Sequence, residues 1–292
     1  MMRSATSKPS SAVRWTDIAR VVAVAAIVGA FLFPIFWMLA TSLKVSADIL
    51  ARPPVWSFVP TLENYRYALG EADFGRFIVN TLIVASVSTL IVIGVGSIAA
   101  YGFARYNPGN GTIMYFILTT RMMPGIAVVI PFFVIFRDIG NTAIGEFLFL
   151  GLDRLGTLVV AHTIYNLPFA IWLLHSFFQD IPKNLENAAL VDGCTRFQAF
   201  RKVVLPLAAP GIAVTAIFSF LFSWNEFLFA SVLTRDAAKT ITVGVSGFQT
   251  QQGILWGPLA AAASMAVIPT VILIMMLQKY IVRGLTMGAV KG

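Results

Sequence analysis

Few residues of this chain could do chemistry by their type and spacing. His162 and His175 lie thirteen positions apart in an apolar stretch. Zinc ligands on one helix are about three to five residues apart, so we expect two packed core histidines. Cys194 is the single cysteine, which excludes an internal disulfide. The chain has no G-x-x-x-x-G-K-[ST], G-x-S-x-G or H-E-x-x-H pattern. We therefore predict a non-enzyme without a catalytic site, a metal or a cofactor of its own.

The composition indicates an all-α integral membrane protein. Hydrophobic residues make up 58% of the chain and charged residues 12%, against ~45–50% and ~25% in average soluble domains. A soluble globule of this size could not bury so much apolar surface, and a disordered chain would carry more charge. The net charge of +8 is therefore a matter of membrane orientation, and we expect contact with lipid and none with nucleic acid.

Six charge-poor runs are long enough to cross a bilayer, which takes ~20 mainly apolar residues. They predict transmembrane helices at 21–40, 77–104, 112–136, 155–179, 203–234 and 258–277. The first run exceeds the ~7–15 apolar residues of a signal peptide, so we expect it to stay uncleaved. Between the runs, we expect 44–76 to form an extended outer segment with a short helix near 63–69. We expect 240–257 to form an external loop or a re-entrant segment.

Six spans place both termini on one side of the membrane. With the termini inside, the inner segments hold twelve Lys and Arg against four acids, and the outer segments hold eight of each. The excess of positive charge then lies inside, as the positive-inside rule requires. We expect an inner tail at 1–17, a membrane domain at 18–283 and a second inner tail at 284–292, too rich in glycine for a stable helix.

Two charges fall within the predicted spans. A charge at the bilayer centre costs several kcal/mol unless it is paired or hydrated, so Arg121 and Glu226 are candidates to line a polar pathway. The two side chains could line the pathway as an ion pair or separately. Alternatively, each could make a structural contact between helices or subunits. Aromatic and amide side chains nearby extend the candidate set to Tyr165, Asn166, Trp172 and Asn225.

The 180–206 loop is the largest polar segment on the inner side. Pro182 can start a helix, Gly193 can end it with a positive φ, and Thr195 can cap a second helix. The small residues Ala188, Ala189 and Gly193 would let a partner approach closely, with Leu185 packing at that contact. The alternative is an ordinary pair of amphipathic helices at the membrane surface.

This loop resembles the EAA loop of permease subunits of binding-protein-dependent ABC importers. Ala188-Ala189, Gly193, Val203 and Leu205-Pro206 match its spacing, whereas the family's glutamate position is Asn187, with Glu186 just before it. Asp192-Gly193 is similar to the carbohydrate-importing branch. Further similar segments are Asn80-Thr81-Leu82, Ala99 to Arg105, Met123-Pro124 with Ile130-Pro131, Trp224-Asn225-Glu226-Phe227, and a 284–292 tail like that of maltose-permease G-type subunits.

The resemblance implies a multi-pass subunit of the bacterial cytoplasmic membrane. It forms half of an alternating-access pathway for a sugar or polyol, together with a second permease, two ATPase subunits that bind ATP and Mg, and a soluble binding protein. Another solute, such as a phosphorylated polyol, and a stand-alone secondary transporter are the alternatives. The 180–206 loop would be the coupling element, and a second contact with the ATPases would come from the tail.

The residues implied in coupling are Leu185, Glu186, Asn187, Ala188, Ala189, Asp192, Gly193, Leu205 and Pro206. Those implied in the tail contact are Met287, Gly288, Ala289, Val290, Lys291 and Gly292.

Overall fold

The computed structural model describes residues 15–288, with side chains from 16 to 276. The described chain is mainly helical. Its first half comprises α1 Trp15–Ser42, α2 Ser46–Leu50, α3 Glu63–Gly70, α4 Phe74–Tyr106, a 3-10 turn Pro108–Gly111, α5 Thr112–Arg121, α6 Gly125–Ile139 and α7 Ala143–Phe147. Its second half comprises α8 Leu155–Gln179, α9 Lys183–Val191, α10 Arg196–Ala199, a π-helical turn Phe200–Val204, α11 Leu205–Leu207, α12 Ala209–Trp224, α13 Leu228–Leu233, α14 Ile241–Ser246, strands β1 Gln249–Thr250 and β2 Gly253–Ile254, and α15 Trp256–Gly288.

Four continuous helices are long and apolar enough to cross a membrane: α1, α4, α8 and α15. They coincide with the first, second, fourth and sixth predicted spans. The described residues offer up to six spans if two bent helix pairs are each counted as one crossing. The prediction of six continuous helices is therefore wrong for the third and fifth spans.

The third predicted span is broken at Pro124. Helix α5 ends at Arg121, and α6 starts at Gly125 with an angle of 87° between the two pieces. Proline has no backbone N–H to continue the helical ladder, and it disfavours the α conformation in the residue before it. Arg121, expected deep inside one helix, is instead the last residue of α5.

The fifth predicted span, 203–234, is divided into several pieces. The axis turns by 77° at Ala208, between the segments Arg196–Leu207 and Ala209–Trp224, and Pro210 follows at the start of α12. A second break at Asn225 separates α12 from the short α13. The run is mainly apolar, but Pro210 interrupts its hydrogen-bond ladder beside the bend at Ala208.

The core lies between α4, α8 and α12. One apolar cluster joins Leu158 of α8 to Phe229 and Leu233 of α13, and another joins Tyr101 of α4 to Phe178 of α8. Between them the facing residues are small or polar, so the helices approach closely. Helix α1 lies outside this core, and its apolar side chains are exposed, as contact with lipid requires.

The segments outside the core agree with the sequence in part. Helix α3 confirms the short helix expected near 63–69, and the 240–257 segment folds as α14 followed by the β1–β2 hairpin. Helix α15 continues to Gly288, so the start of the tail, including Met287 and Gly288, is helical despite its glycines. The other predicted tail contacts, Ala289, Val290, Lys291 and Gly292, lie outside the described residues.

Candidate functional site

The 180–206 loop folds as two helices joined by a tight glycine turn. Helix α9 starts directly after Pro182 and ends before Gly193, whose φ is +85°. The N–H of Gly193 donates to the carbonyl of Leu190 (3.1 Å), and that of Cys194 donates to the carbonyl of Ala189 (3.0 Å). These two bonds form a Schellman motif, so they confirm the predicted glycine cap of α9.

The second helix is fixed by a capping box. The Thr195 hydroxyl accepts from the N–H of Gln198, and the Gln198 side chain accepts from the N–H of Thr195. This confirms the role predicted for Thr195. Phe200 and Val204 in the following π-helical turn pack into the core cluster with Tyr101 and Phe178. The loop is thus attached firmly to α4 and α8.

Glu186 points from α9 into the protein and is only 5% exposed. One carboxylate oxygen accepts from Arg105 Nε at 2.8 Å, and the other accepts from the Tyr101 hydroxyl. The Arg105 guanidinium also donates to the carbonyls of Phe178 (3.0 Å) and Ile181 (3.2 Å), where α8 ends. The predicted coupling residue Glu186 is therefore bound inside the chain.

The remaining predicted coupling residues divide by exposure. Ala189 is buried and Leu205 is half-buried, whereas Leu185, Asn187, Ala188, Asp192, Gly193 and Pro206 are exposed. Two exposed apolar side chains that the sequence analysis did not select, Val191 and Phe197, lie on the same loop. Among the described residues, the loop therefore leaves the apolar side chains of Leu185, Val191 and Phe197 exposed beside polar ones such as Asn187 and Asp192.

Arg121 contacts aromatic residues of other helices. Its guanidinium lies 3.6 Å from the ring centroid of Tyr165 and 5.5 Å from that of Phe222, and it donates to the Tyr165 carbonyl at 3.1 Å. Among the described residues it has no carboxylate within ion-pair distance. The side chain remains half-buried.

The side chain of Glu226 caps the N-terminus of helix α13 and does not pair with Arg121. Its carboxylate accepts from the backbone N–H of Phe229 (2.9 Å) and Ala230 (3.1 Å). His162 Nε2 lies 3.4 Å from the same carboxylate, and His162 is 1% exposed. The buried position of His162 agrees with the predicted core histidine, but no local pattern indicated its pairing with Glu226.

The other pathway candidates do not converge on one site. Asn166 is buried and donates to the Ser223 hydroxyl at 3.0 Å, which bonds in turn to Ser88, so these residues connect α8, α12 and α4. Asn225 is exposed and donates to the carbonyl of Leu221. Trp172 is 44% exposed on α8. Within the described range, no group of three His, Cys, Asp or Glu could hold a metal.

A second polar cluster lies at the other end of α8. The Asp153 carboxylate accepts from four consecutive backbone N–H groups, those of residues 235–238, at 2.9–3.1 Å. Burial raises the pKa of Asp153, but the N–H groups of Ala238, Arg235, Ala237 and Asp236 outweigh it and hold the pKa below its usual value. Asn80 donates to the carbonyls of Ala237 and Lys239 in the same segment.

Long apolar helices with exposed apolar side chains define an integral membrane protein. The chain belongs to the family of binding-protein-dependent transport system inner membrane components, whose family model matches residues 92–287. The family resemblance found in the sequence is thereby confirmed.

Individual relatives agree over nearly the whole chain. A diacetylchitobiose uptake system permease protein of Streptomyces coelicolor is 38% identical and covers 95% of this chain and 97% of its own. A probable ABC transporter permease protein of Sinorhizobium fredii is 36% identical, covering 89% and 91%. The fold is similar to a chain of a bacterial ABC transporter involved in alginate import, with a TM-score of 0.69, 23% identity, and coverage of 94% of this chain and 99% of that chain.

Proposed function

We propose that this chain is one permease subunit of an ATP-driven importer and forms half of an alternating-access pathway. The observation that carries the proposal is the 180–206 loop, whose exposed side includes Leu185, Val191 and Phe197 and whose inner side is fixed to α4 and α8. Such an element can receive force from a partner and pass it to the spanning helices, because both of its ends are rigid.

The assembly would contain a second permease subunit, two ATPase subunits and a soluble binding protein. ATP and Mg would be bound by the ATPases, since this sequence contains no P-loop motif. In this arrangement the bent pair α5–α6 completes one crossing and α12, which follows the loop, completes another, giving six spans in the membrane domain 18–283. Both termini and the 180–206 loop then lie on the cytoplasmic side of the bacterial inner membrane, where the excess of Lys and Arg is also placed.

The solute is a sugar or polyol in this proposal. The diacetylchitobiose permease and a trehalose/maltose transport system permease of Thermococcus litoralis, 36% identical to this chain, support that class by their names. Exposed aromatic and amide groups such as Trp172 and Asn225 suit a sugar face, and Arg121 would suit a phosphorylated polyol, the alternative solute. Asn166 and Glu226 serve contacts within the chain, which favours a structural role for them.

Gly193→Val tests the coupling role of the loop. A β-branched residue is strained at a φ of +85°, so we expect the turn after α9 to open and binding-protein-dependent uptake to fall at least ~tenfold. The measurement is sugar uptake and ATP hydrolysis by the reconstituted complex. Gly193→Asn is the matched control, because asparagine tolerates the left-handed conformation and should keep most of the uptake.

Two results would contradict the proposal. Normal uptake by Gly193→Val would remove the coupling role of the loop. Ion-driven uptake by this chain alone, without ATPase subunits, would favour a secondary transporter.

A further inference from the structure

We propose that Glu186 is a positioning residue that ties α9 to the ends of α4 and α8, and that it makes no contact with the ATPase. This inference rests on the proposed function. It assigns the acidic side chain next to the family's glutamate position to an internal brace, formed by Glu186, Arg105 and Tyr101.

The brace joins three elements through one guanidinium. Arg105 lies in the last turn of α4, bonds Glu186 of α9 through Nε, and uses its two terminal nitrogens for the carbonyls of Phe178 and Ile181. Phe178 lies at the end of α8, and Ile181 lies at the start of the 180–206 loop. A displacement of α9 would therefore break both charge-assisted bonds of Glu186 unless α4 moved with it.

Burial shields the carboxylate of Glu186 from an external partner. Both of its oxygens are already bonded, one to Arg105 and the other to Tyr101. The side chain of Arg105 in this ion pair is 6% exposed and that of Glu186 is 7% exposed. A cation of another subunit could reach Glu186 only by displacing Arg105, which would leave a buried guanidinium without its partner.

The neighbouring residue faces the other way. Asn187 is exposed on α9, together with Leu185 and Ala188. At the helical spacing of about 100° per residue, adjacent side chains point in different directions, so one face of α9 is bound to the chain and the other is free for a partner. Recognition of a partner subunit is thus assigned to the exposed side chains of α9, and transmission of its movement to Glu186 on the bound face.

Glu186→Gln in the full complex with its ATPases, second permease and binding protein is the test. The amide is nearly isosteric but neutral, so it loses the ion pair to Arg105. We expect the complex to assemble and to hydrolyse ATP, while the number of solute molecules imported per ATP falls about fivefold or more. Glu146→Gln is the matched control, since it makes the same substitution at an exposed glutamate near the opposite end of α8, and its import per ATP should stay unchanged.

A second pair of variants protects the test against misfolding. Tyr101→Phe keeps the ring and removes only the hydroxyl bond to Glu186, so it should fold and lower import per ATP by a smaller factor. The Arg105→Met/Glu186→Met double variant replaces the pair by apolar side chains. It should assemble and still transport with a reduced ratio, because Met–Met packing lacks the directional bonds of the ion pair.

The outcomes separate the brace from a direct contact. Loss of ATPase binding by folded Glu186→Gln would overturn the inference in favour of a direct contact. Unchanged import per ATP in both Glu186→Gln and Tyr101→Phe would overturn it as well. Absence of any ATP-dependent import by the wild-type complex would refute the proposed function itself, and the inference with it.

Discussion

Near each end of α8, one carboxylate ties the adjoining segment to another part of the chain. The two carboxylates have different kinds of partner. At the end that carries the 180–206 loop, Glu186 bonds the side chains of Arg105 and Tyr101. At the other end, Asp153 bonds four backbone N–H groups of residues 235–238. The helix of 25 residues between them spans about 37 Å at 1.5 Å per residue.

The difference concerns how each connection can change. Backbone N–H groups are fixed by the turns of the 235–238 segment, so the partners of Asp153 cannot move away unless that segment unfolds. The partners of Glu186 are side chains of α4, which move together with that helix. The loop end therefore follows α4, whereas the Asp153 end is a static connection to one folded segment.

Removal of Arg105 should have the largest effect on stability, because this side chain is the ionic partner of Glu186. Arg105→Met leaves the Glu186 charge buried and unpaired, and we expect a loss of about 3–5 kcal/mol in the free energy of unfolding. Thermal unfolding of the purified chain in detergent measures the loss. The Arg105→Met/Glu186→Met double variant should recover most of it, and equal stability of the two variants would contradict the buried ion pair.

Asp153→Ala tests the static end and should have a smaller effect. It leaves four backbone N–H groups without their acceptor, but water can reach part of this site, so we expect about 1–2 kcal/mol, confined to that end. Hydrogen exchange at residues 235–238 should accelerate while exchange in α9 stays unchanged. Asp138→Ala, which removes an exposed carboxylate near the same end, is the control and should leave 235–238 protected.

Acidification should give the smallest effect and only at the Asp153 end. The pKa of Asp153 is lowered in the folded chain, so its stabilisation is complete above the ordinary carboxyl value of about 3.9 and is lost as the pH falls through the lower folded value. Exchange protection of 235–238, corrected for the intrinsic rate, should therefore persist through mild acid. A loss of protection already near neutral pH would contradict the assignment.

The sequence predicted the local features of the loop well because those features depend on neighbouring residues. Pro182, Gly193 and Thr195 have the roles expected of them, since helix caps are formed within a few residues. The breaks at Pro124 and Ala208 were missed, because hydrophobicity alone reads a bent apolar run as continuous. Pro124 and Pro210 were the available signals, but prolines are also tolerated in spanning helices, as Pro168 in α8 shows.

The contacts of the charged residues could not be predicted from the sequence. Arg105 and Glu186 are 81 positions apart, and Asp153 precedes its partners by more than 80. The sequence left Glu226 open as a pathway residue or as a contact between helices, and only the structure shows its carboxylate capping α13 beside His162. Such pairings depend on how α4, α8 and α12 pack, which no local pattern contains.

The sequence by itself determined that this chain lies in a membrane, where four of its long helices run, and which loop identifies its family. These properties follow from hydrophobicity, helix caps and short motifs, all of which are local. Only the tertiary structure decided that Glu186 faces inward and Asn187 outward, and that one end of α8 is held by side chains and the other by backbone. The reason is physical: a buried charge takes whichever partner the packed helices bring within bonding distance.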